Sequence, residues 1–182
     1  MRFDFVADQH TKVKTFLKAQ GVSKGLLAKI KYTGGSILVN GSEQNATYLL
    51  EIGDSVTINI PAEEDATGSL KPISFPLDIV YEDEHFLAIN KPVGYASIPS
   101  ILHSSTIANF VKGYLVEQKY ENKQVHIVTR LDRDTSGLML FAKHGYAHAR
   151  LDKQLQAKQI SKRGWGVRAR RGYYCPYWST RG

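Results

Sequence analysis

A chain of 182 residues with 42% apolar and 23% charged side chains has room for one or two small domains and lacks the composition of a disordered segment. Nothing in it resembles a membrane span or a signal peptide, and a single cysteine, Cys175, excludes an internal disulfide, so the cytoplasm is the expected location. The net charge of +7 suggests a nucleic-acid partner, but four of those charges are arginines in residues 164–182, so the remainder is only mildly basic.

The first segment predicts two short helices followed by strands. Val13, Phe16 and Leu17 share one helical face, and Gly21 is placed to end that helix. Ser23 is placed to cap a second helix in which Leu26, Leu27 and Ile30 share a face. Ser36 to Gly41 reads as a strand running into a turn, and Gly53-Asp54 as another turn. Val56, Ile58 and Ile60 alternate as in a half-buried strand.

Lys24, Lys29 and Lys31 lie on or beside the second helix. Spacing alone makes them a solvated helix face. The order of elements adds a second reading. Phe16-Leu17-Lys18, Gly21-Val22-Ser23-Lys24, Leu27, Gly35 to Gly41 and Gly53 to Val56 resemble the RNA-binding domain named after ribosomal small-subunit protein four. That resemblance covers the first third of the chain. It implies that Lys24, Lys29 and Lys31 meet RNA phosphates, which supply affinity without sequence choice.

Residues 62–76 begin as a polar, acidic stretch rich in breakers and read as a linker between a first domain, 1–61, and a second, 77–163. In the second domain, Leu77 to Tyr81 and Phe86 to Asn90 read as strands joined through Glu82-Asp83-Glu84. Ile107, Phe110, Val111, Tyr114 and Leu115 follow the spacing of an amphipathic helix. Val125 to Val128 and Leu138 to Ala142 read as buried strands, and a last helix carries Ala147, Leu151 and Leu155 on one side. The fold class predicted is α+β, with a mixed sheet in the second domain.

Between the last two strands lies a charged loop, Thr129 to Gly137. One reading is a solvent turn in which Asp132, Asp134 and Ser136 bond local amides. A second is calcium, since Asp132 to Gly137 copies the opening of an EF-hand loop. The twelfth position from Asp132 is Lys143, a cation where a carboxylate must close the cage, and calcium is rejected. A third is catalysis, with Asp132 as nucleophile or acid–base group. Arg130 and Arg133 flank it, and in extended chain Arg130 and Asp132 could face one cleft. Spacing alone does not choose between catalysis and the turn, nor between a binding and a structural role for Arg130.

Arg130-Leu131-Asp132-Arg133-Asp134-Thr135-Ser136-Gly137-Leu138 resembles the signature of RluA/RluD-type pseudouridine synthases, as do Phe141-Ala142-Lys143 beyond it and Asn90-Lys91-Pro92-Val93-Gly94 upstream. The resemblance runs from about Lys12 to Arg163. It implies that Asp132 is the catalytic aspartate, and that Arg130, Arg133 and Lys91 bind the substrate, with Arg130 near the extruded nucleotide. The implied reaction isomerises a uridine in structured RNA, ribosomal RNA being the expected target. It needs no cofactor and no metal, and the implied protein is a monomer without membrane attachment. The alternative is a non-catalytic RNA-binding remnant of such an enzyme.

Two departures from the family stand out. Thr129 replaces a histidine that many relatives carry, a minor change because a hydroxyl remains. After Arg163 the family continues with a tyrosine that packs on the target uracil, and then a strand. Here residues 164–182 are rich in arginine, glycine and aromatics, which reads as a shifted frame or truncated product with an unstructured tail; an RNA-binding extension is the rival reading. Tyr95, Ser97 and Ser100 are expected to line the RNA cleft. His144 and His148 have the four-residue spacing of metal ligands but no third partner, so they are expected to be polar surface residues.

Overall fold

A computed structural model of the chain describes residues 1–63, 70–101 and 103–160. The chain divides into two compact units, Met1–Glu64 and Asp65–Gly182.

In the first unit β1 (Arg2–Val6), β2 (Thr11–Lys12), α1 (Val13–Ala19) and α2 (Lys24–Tyr32) precede β3 (Ser36–Val39), β4 (Ser42–Glu43), β5 (Leu49–Leu50) and β6 (Ser55–Asn59). β6 sits between β1 and β3 in an antiparallel sheet of order β1-β6-β3-β4, and β2 pairs separately with β5. This central place explains why Val56, Ile58 and Ile60 are all buried. Thr57, on the opposite face of β6, is also buried, and its hydroxyl is satisfied by Asp4 Oδ1 at 2.5 Å.

The helices form where the caps direct. Gly21 takes φ +90°, the left-handed conformation that closes α1 without a Cβ penalty. Ser23 Oγ accepts from Leu26 N at 3.1 Å at the start of α2. α1 buries Val13, Phe16 and Leu17, and α2 buries Leu26 and Ile30. Asn40 and Gly41, both at positive φ, turn β3 into β4 as a two-residue hairpin requires.

In the second unit β7 (Ile79–Glu82), β8 (Phe86–Lys91), α3 (Ile107–Glu117), β9 (His126–Ile127), β10 (Gly137–Ala142) and α4 (Gly145–Gln156) build an antiparallel sheet of order β7-β8-β10-β9 with two helices. The mixture of helix and antiparallel sheet fits the α+β class. Leu87 and Ile89 of β8 and Met139 and Phe141 of β10 point to one face, where they meet Ile107, Phe110, Val111 and Leu115 of α3. Among the described residues no helix is long and apolar enough to cross a membrane.

α3 is buried on more than the expected side. Ala108, Asn109, Lys112 and Gly113 are buried as well. The chain around Ile73 covers that second face: Ile73 N donates to Asn109 O at 3.1 Å, Asn109 Nδ2 donates to Lys71 O at 3.0 Å, and Phe75 stacks on Phe110 at 4.2 Å. Gly113 makes this crossing possible, because a Cβ there would lie 2.2 Å from Ile73 O and 2.6 Å from Ile73 C. Gly113→Ala should therefore destabilise the unit by about 3 kcal/mol, the upper range for overpacking, although alanine is the better helix former. Urea unfolding of the two proteins measures the difference. A neutral or stabilising result would mean that the crossing segment is free to move aside.

Candidate active site

Two loops leave the same end of the two inner strands, β8 and β10, of the second sheet. Gly137, the first residue of β10, pairs with Lys91, the last of β8. The loop that follows β8 and the loop that precedes β10 are thereby brought side by side, and they are joined by hydrogen bonds from several directions. Gly94 N donates to Arg133 O at 2.9 Å, and Arg133 Nε donates back to Gly94 O at 3.1 Å. Ser97 Oγ donates to Leu131 O at 2.5 Å and accepts from Leu131 N at 3.2 Å, so one hydroxyl holds the peptide groups on both sides of Leu131. The carbonyls of Ala96 and Ser97 in turn accept from Ile107 N and Ala108 N at the start of α3. The backbone beside Asp132 is thus tied through Ser97 to the N-terminus of a buried helix.

Lys91 lies beneath this junction. It is fully buried, and its Nζ donates to Pro92 O at 2.8 Å, Arg133 O at 3.1 Å and Thr135 O at 2.7 Å. Three carbonyls take the three N–H bonds of the ammonium. Lys91 was expected to touch substrate; here its donors are spent on backbone, and its position is that of a clamp between the loops. Burial pulls its pKa below the ordinary lysine value, while the carboxylates of Asp134 and Asp132 act in the opposite sense.

Asp132 stands on the outer side of the clamp. Its backbone carbonyl accepts from Thr135 N at 3.1 Å, closing a tight turn through Arg133 and Asp134. Its side chain is exposed and makes no hydrogen bond or ion pair among the described residues. Arg130 is likewise exposed and without such a partner. Among the described residues neither flanking arginine pairs with the Asp132 carboxylate. Arg133 turns its Nε to Gly94, and the carboxylate near it is Asp134, at 4.0 Å. The reason is local: the turn after Asp132 swings residue 133 back toward the β8 loop. Thr129 has a definite task, since its Oγ1 accepts from Leu140 N at 2.9 Å at the end of the β9–β10 pairing.

Of the loop residues expected to line a cleft, Ser97 is buried and works through backbone, while Ser100 is exposed and bridges to His103. Tyr95 packs edge-on against Phe75 and Phe110, with ring centres 5.3 and 5.2 Å away. The role of Ser97 as a double backbone ligand had no signal in the sequence, because a serine in a loop looks the same whether it faces solvent or a peptide.

His144 is not a surface residue. It is buried at the N-cap of α4, where Nδ1 accepts from Ala147 N at 3.1 Å and Nε2 meets His85 Nδ1 at 3.0 Å. Its Nδ1 is therefore the acceptor nitrogen, and Nε2 carries the hydrogen toward His85. His148 is half-buried against Ile127 O. Among the described residues no group of three or more His, Cys, Asp or Glu side chains is arranged to hold a metal.

Comparison with known proteins places this site in context. Residues 85–169, which contain both loops, match the family model described as RNA pseudouridylate synthase. The chain is 42% identical over 152 residues to the Bacillus subtilis protein named "Uncharacterized RNA pseudouridine synthase YjbO", covering 83% of this chain and 53% of that protein. It is 36% identical over 129 residues to ribosomal large subunit pseudouridine synthase D of Pseudomonas aeruginosa, covering 70% and 39%. Against ribosomal large subunit pseudouridine synthase C of Buchnera aphidicola it is 36% identical over 146 residues, covering 76% and 44%. The comparisons support the RluA/RluD-type pseudouridine synthase family. The chain spans about half the length of the curated relatives it matches, or less. The pseudouridine synthase match continues to residue 169, past Arg163, where the resemblance was expected to end. The readings made for residues 164–182 lie outside the described residues.

Proposed function

We propose that this protein is an RNA pseudouridine synthase that isomerises a uridine in structured RNA, with Asp132 as its catalytic carboxylate. The observation that carries the proposal is the exposed Asp132 side chain, unbonded among the described residues, on a backbone gripped by Lys91, Gly94 and Ser97, within the segment that matches the family. A catalytic group needs such a combination: a reactive atom open to the substrate on a support that does not yield.

The reaction breaks the bond between uracil N1 and the sugar and forms a bond from the same sugar carbon to uracil C5. The proton at C5 is released, and N1 gains one. No atom or electron enters from a cofactor. An aspartate carboxylate serves this chemistry either by attacking the sugar or by removing a sugar proton. The target base must leave its stack, which costs a few kcal/mol and is offset by contacts in the site. Arg130, exposed and without a hydrogen-bond or ion-pair partner among the described residues, two residues before Asp132, is suited to a phosphate next to the extruded nucleotide. Arg133, with Nε on Gly94, keeps its remaining donors for the same purpose.

Ribosomal RNA is the favoured substrate, since two of the relatives above are named for the large ribosomal subunit. In this reading the first unit, residues 1–61, is a ribosomal-protein-S-four-like RNA-binding domain of a cytoplasmic, monomeric enzyme. Lys24, Lys29 and Lys31 are exposed on α2 and form no ion pair among the described residues, which leaves them available to phosphates. Replacing all three with alanine should weaken binding to structured RNA at least tenfold at low salt and flatten the salt dependence, as titrations at several salt concentrations would measure. Unchanged affinity and slope would return these lysines to a merely solvated helix face. The reaction itself is tested by pseudouridine formation in RNA, with RNA binding but no conversion as the outcome expected of a non-catalytic relative.

A further inference from the structure

A shallow groove of about 490 Å³ lies in the first unit where α2 ends and β3 begins. Its lining includes the buried Ile30 and Ile37 with Gly35, the exposed Lys31 and Tyr32 at the end of α2, and Glu43 and Gln44 in and just after β4. Tyr32 is 81% exposed. It is two residues past Ile30, roughly 200° around the helix, so it cannot join the core that Leu26 and Ile30 fill. An aromatic ring is thus held in water at the tip of a helix whose last turn also carries Lys29 and Lys31. Neither lysine has an ion-pair partner among the described residues, and the side-chain amide of the half-buried Gln44 makes no hydrogen bond among them. Gly35 lets the chain pass closely here: a Cβ would lie 2.6 Å from Asn59 O of β6 and 2.8 Å from Ile30 O of α2, so the residue just before β3 lies against the backbone of both.

We propose that this groove holds an unpaired nucleobase of bound RNA, stacked on Tyr32, with the adjoining phosphate at Lys31. The inference rests on the RNA-binding reading of the first unit and adds to it a single-stranded subsite. The chemistry agrees part by part. An aromatic face takes any base, an apolar floor excludes water beneath it, and the Gln44 amide offers both a donor and an acceptor to the base edge. Lysine binds phosphate as a point charge, and the carboxylate of Glu43, next to Gln44 in the lining, disfavours phosphate there. A double helix offers no base face to Tyr32, so the subsite selects RNA with an unpaired segment beside a helix.

The test uses the full chain and two RNA hairpins, each closed by a non-nucleotide linker so that no loop base is unpaired, identical except that one carries a single-stranded uridine tail. Tyr32→Ala should lower affinity for the tailed hairpin about tenfold, leave the plain hairpin unaffected and leave the salt slope unchanged, because stacking releases no counterions. Tyr32→Phe should bind as the parent does. Lys31→Ala should weaken both RNAs and reduce the salt slope. With 5-iodouridine in the tail, photo-crosslinks should map to the peptide containing Tyr32. Salt-dependent binding that is indifferent to Tyr32→Ala, or crosslinks confined to other peptides, would overturn the subsite while leaving the RNA-binding reading in place. Absence of salt-dependent binding to either hairpin would overturn both.

Discussion

Asp132→Asn is expected to abolish release of the uridine C5 proton, lowering turnover by at least a thousandfold, while RNA affinity changes by less than about twofold. The amide has nearly the shape of the carboxylate but neither its charge nor its capacity as nucleophile or base. Structure should be preserved, because the Asp132 side chain makes no hydrogen bond or ion pair among the described residues and acts on Lys91 only through its charge, a part shared with Asp134; the turn is closed by its backbone carbonyl. Equal melting temperatures for the two proteins would verify that the loss is chemical. Retained turnover in the asparagine variant would remove Asp132 from the catalytic role and leave the loop as a structural turn.

The second large effect concerns stability. Lys143→Met should cost about 3 kcal/mol, read as a shift in the urea midpoint. Lys143 is buried, and its Nζ lies 2.7 Å from Glu82 Oε1 while donating to Asp83 O at 2.6 Å and contacting Tyr120 OH at 3.0 Å. Tyr114 and Tyr120 donate to the two oxygens of Glu82 at 2.7 Å each. Removing the cation leaves a largely desolvated carboxylate with only two neutral donors. Changing Glu82 to Leu in the same protein should recover most of the loss, since a neutral pair has no charge to leave uncompensated.

The same network sets a pH window. Burial acts to raise the Glu82 pKa, but the hydrogen bonds from Lys143, Tyr114 and Tyr120 outweigh it and hold the group below the ordinary 4.5. Its contribution is therefore complete above about pH 4.5 and disappears as pH falls through the lowered value. For Lys143, burial acts to lower the pKa, and Glu82 and Tyr120 outweigh it, so the group sits above its ordinary 10.5. That stabilisation is present below pH 10.5 and disappears as pH rises through the raised value. Acid unfolding of the Lys143→Met, Glu82→Leu double variant should accordingly be less steep than that of the parent. An equally damaged double variant would show that packing, not charge, explains the single one.

What the sequence reveals follows from how local the signal is. α1, α2, α3 and the caps at Gly21 and Ser23 were legible because a helix face and its termini are written within a dozen residues. β1 was not: Arg2 and Asp4 alternate with Phe3 and Phe5 over only five residues, and the pairing that makes a strand of them comes from β6, about fifty residues later. The second buried face of α3 was hidden for the same reason, since nothing in Gly113 or Asn109 tells that the chain around Ile73 crosses there. Within the site, Asp132 and Arg130 could be named from motif resemblance, whereas the fate of Lys91 could not. A lysine next to a signature loop reads as a ligand for phosphate, and only the pairing of Gly137 with Lys91 places three carbonyls around its ammonium. His144 was misread because capping and burial both depend on the turn from β10 into α4.

The proposed isomerisation is tested most directly by following two products in one sample. RNA containing uridine tritiated at C5 is incubated with the wild-type protein, without added metal or cofactor, and both tritium release and pseudouridine content are measured over time. The two should rise together in a ratio of about one to one, as a reaction requires that moves the sugar to C5 and frees the proton there. RNA that is bound yet retains all its tritium after prolonged incubation would contradict the proposal and leave an RNA-binding protein without this catalysis.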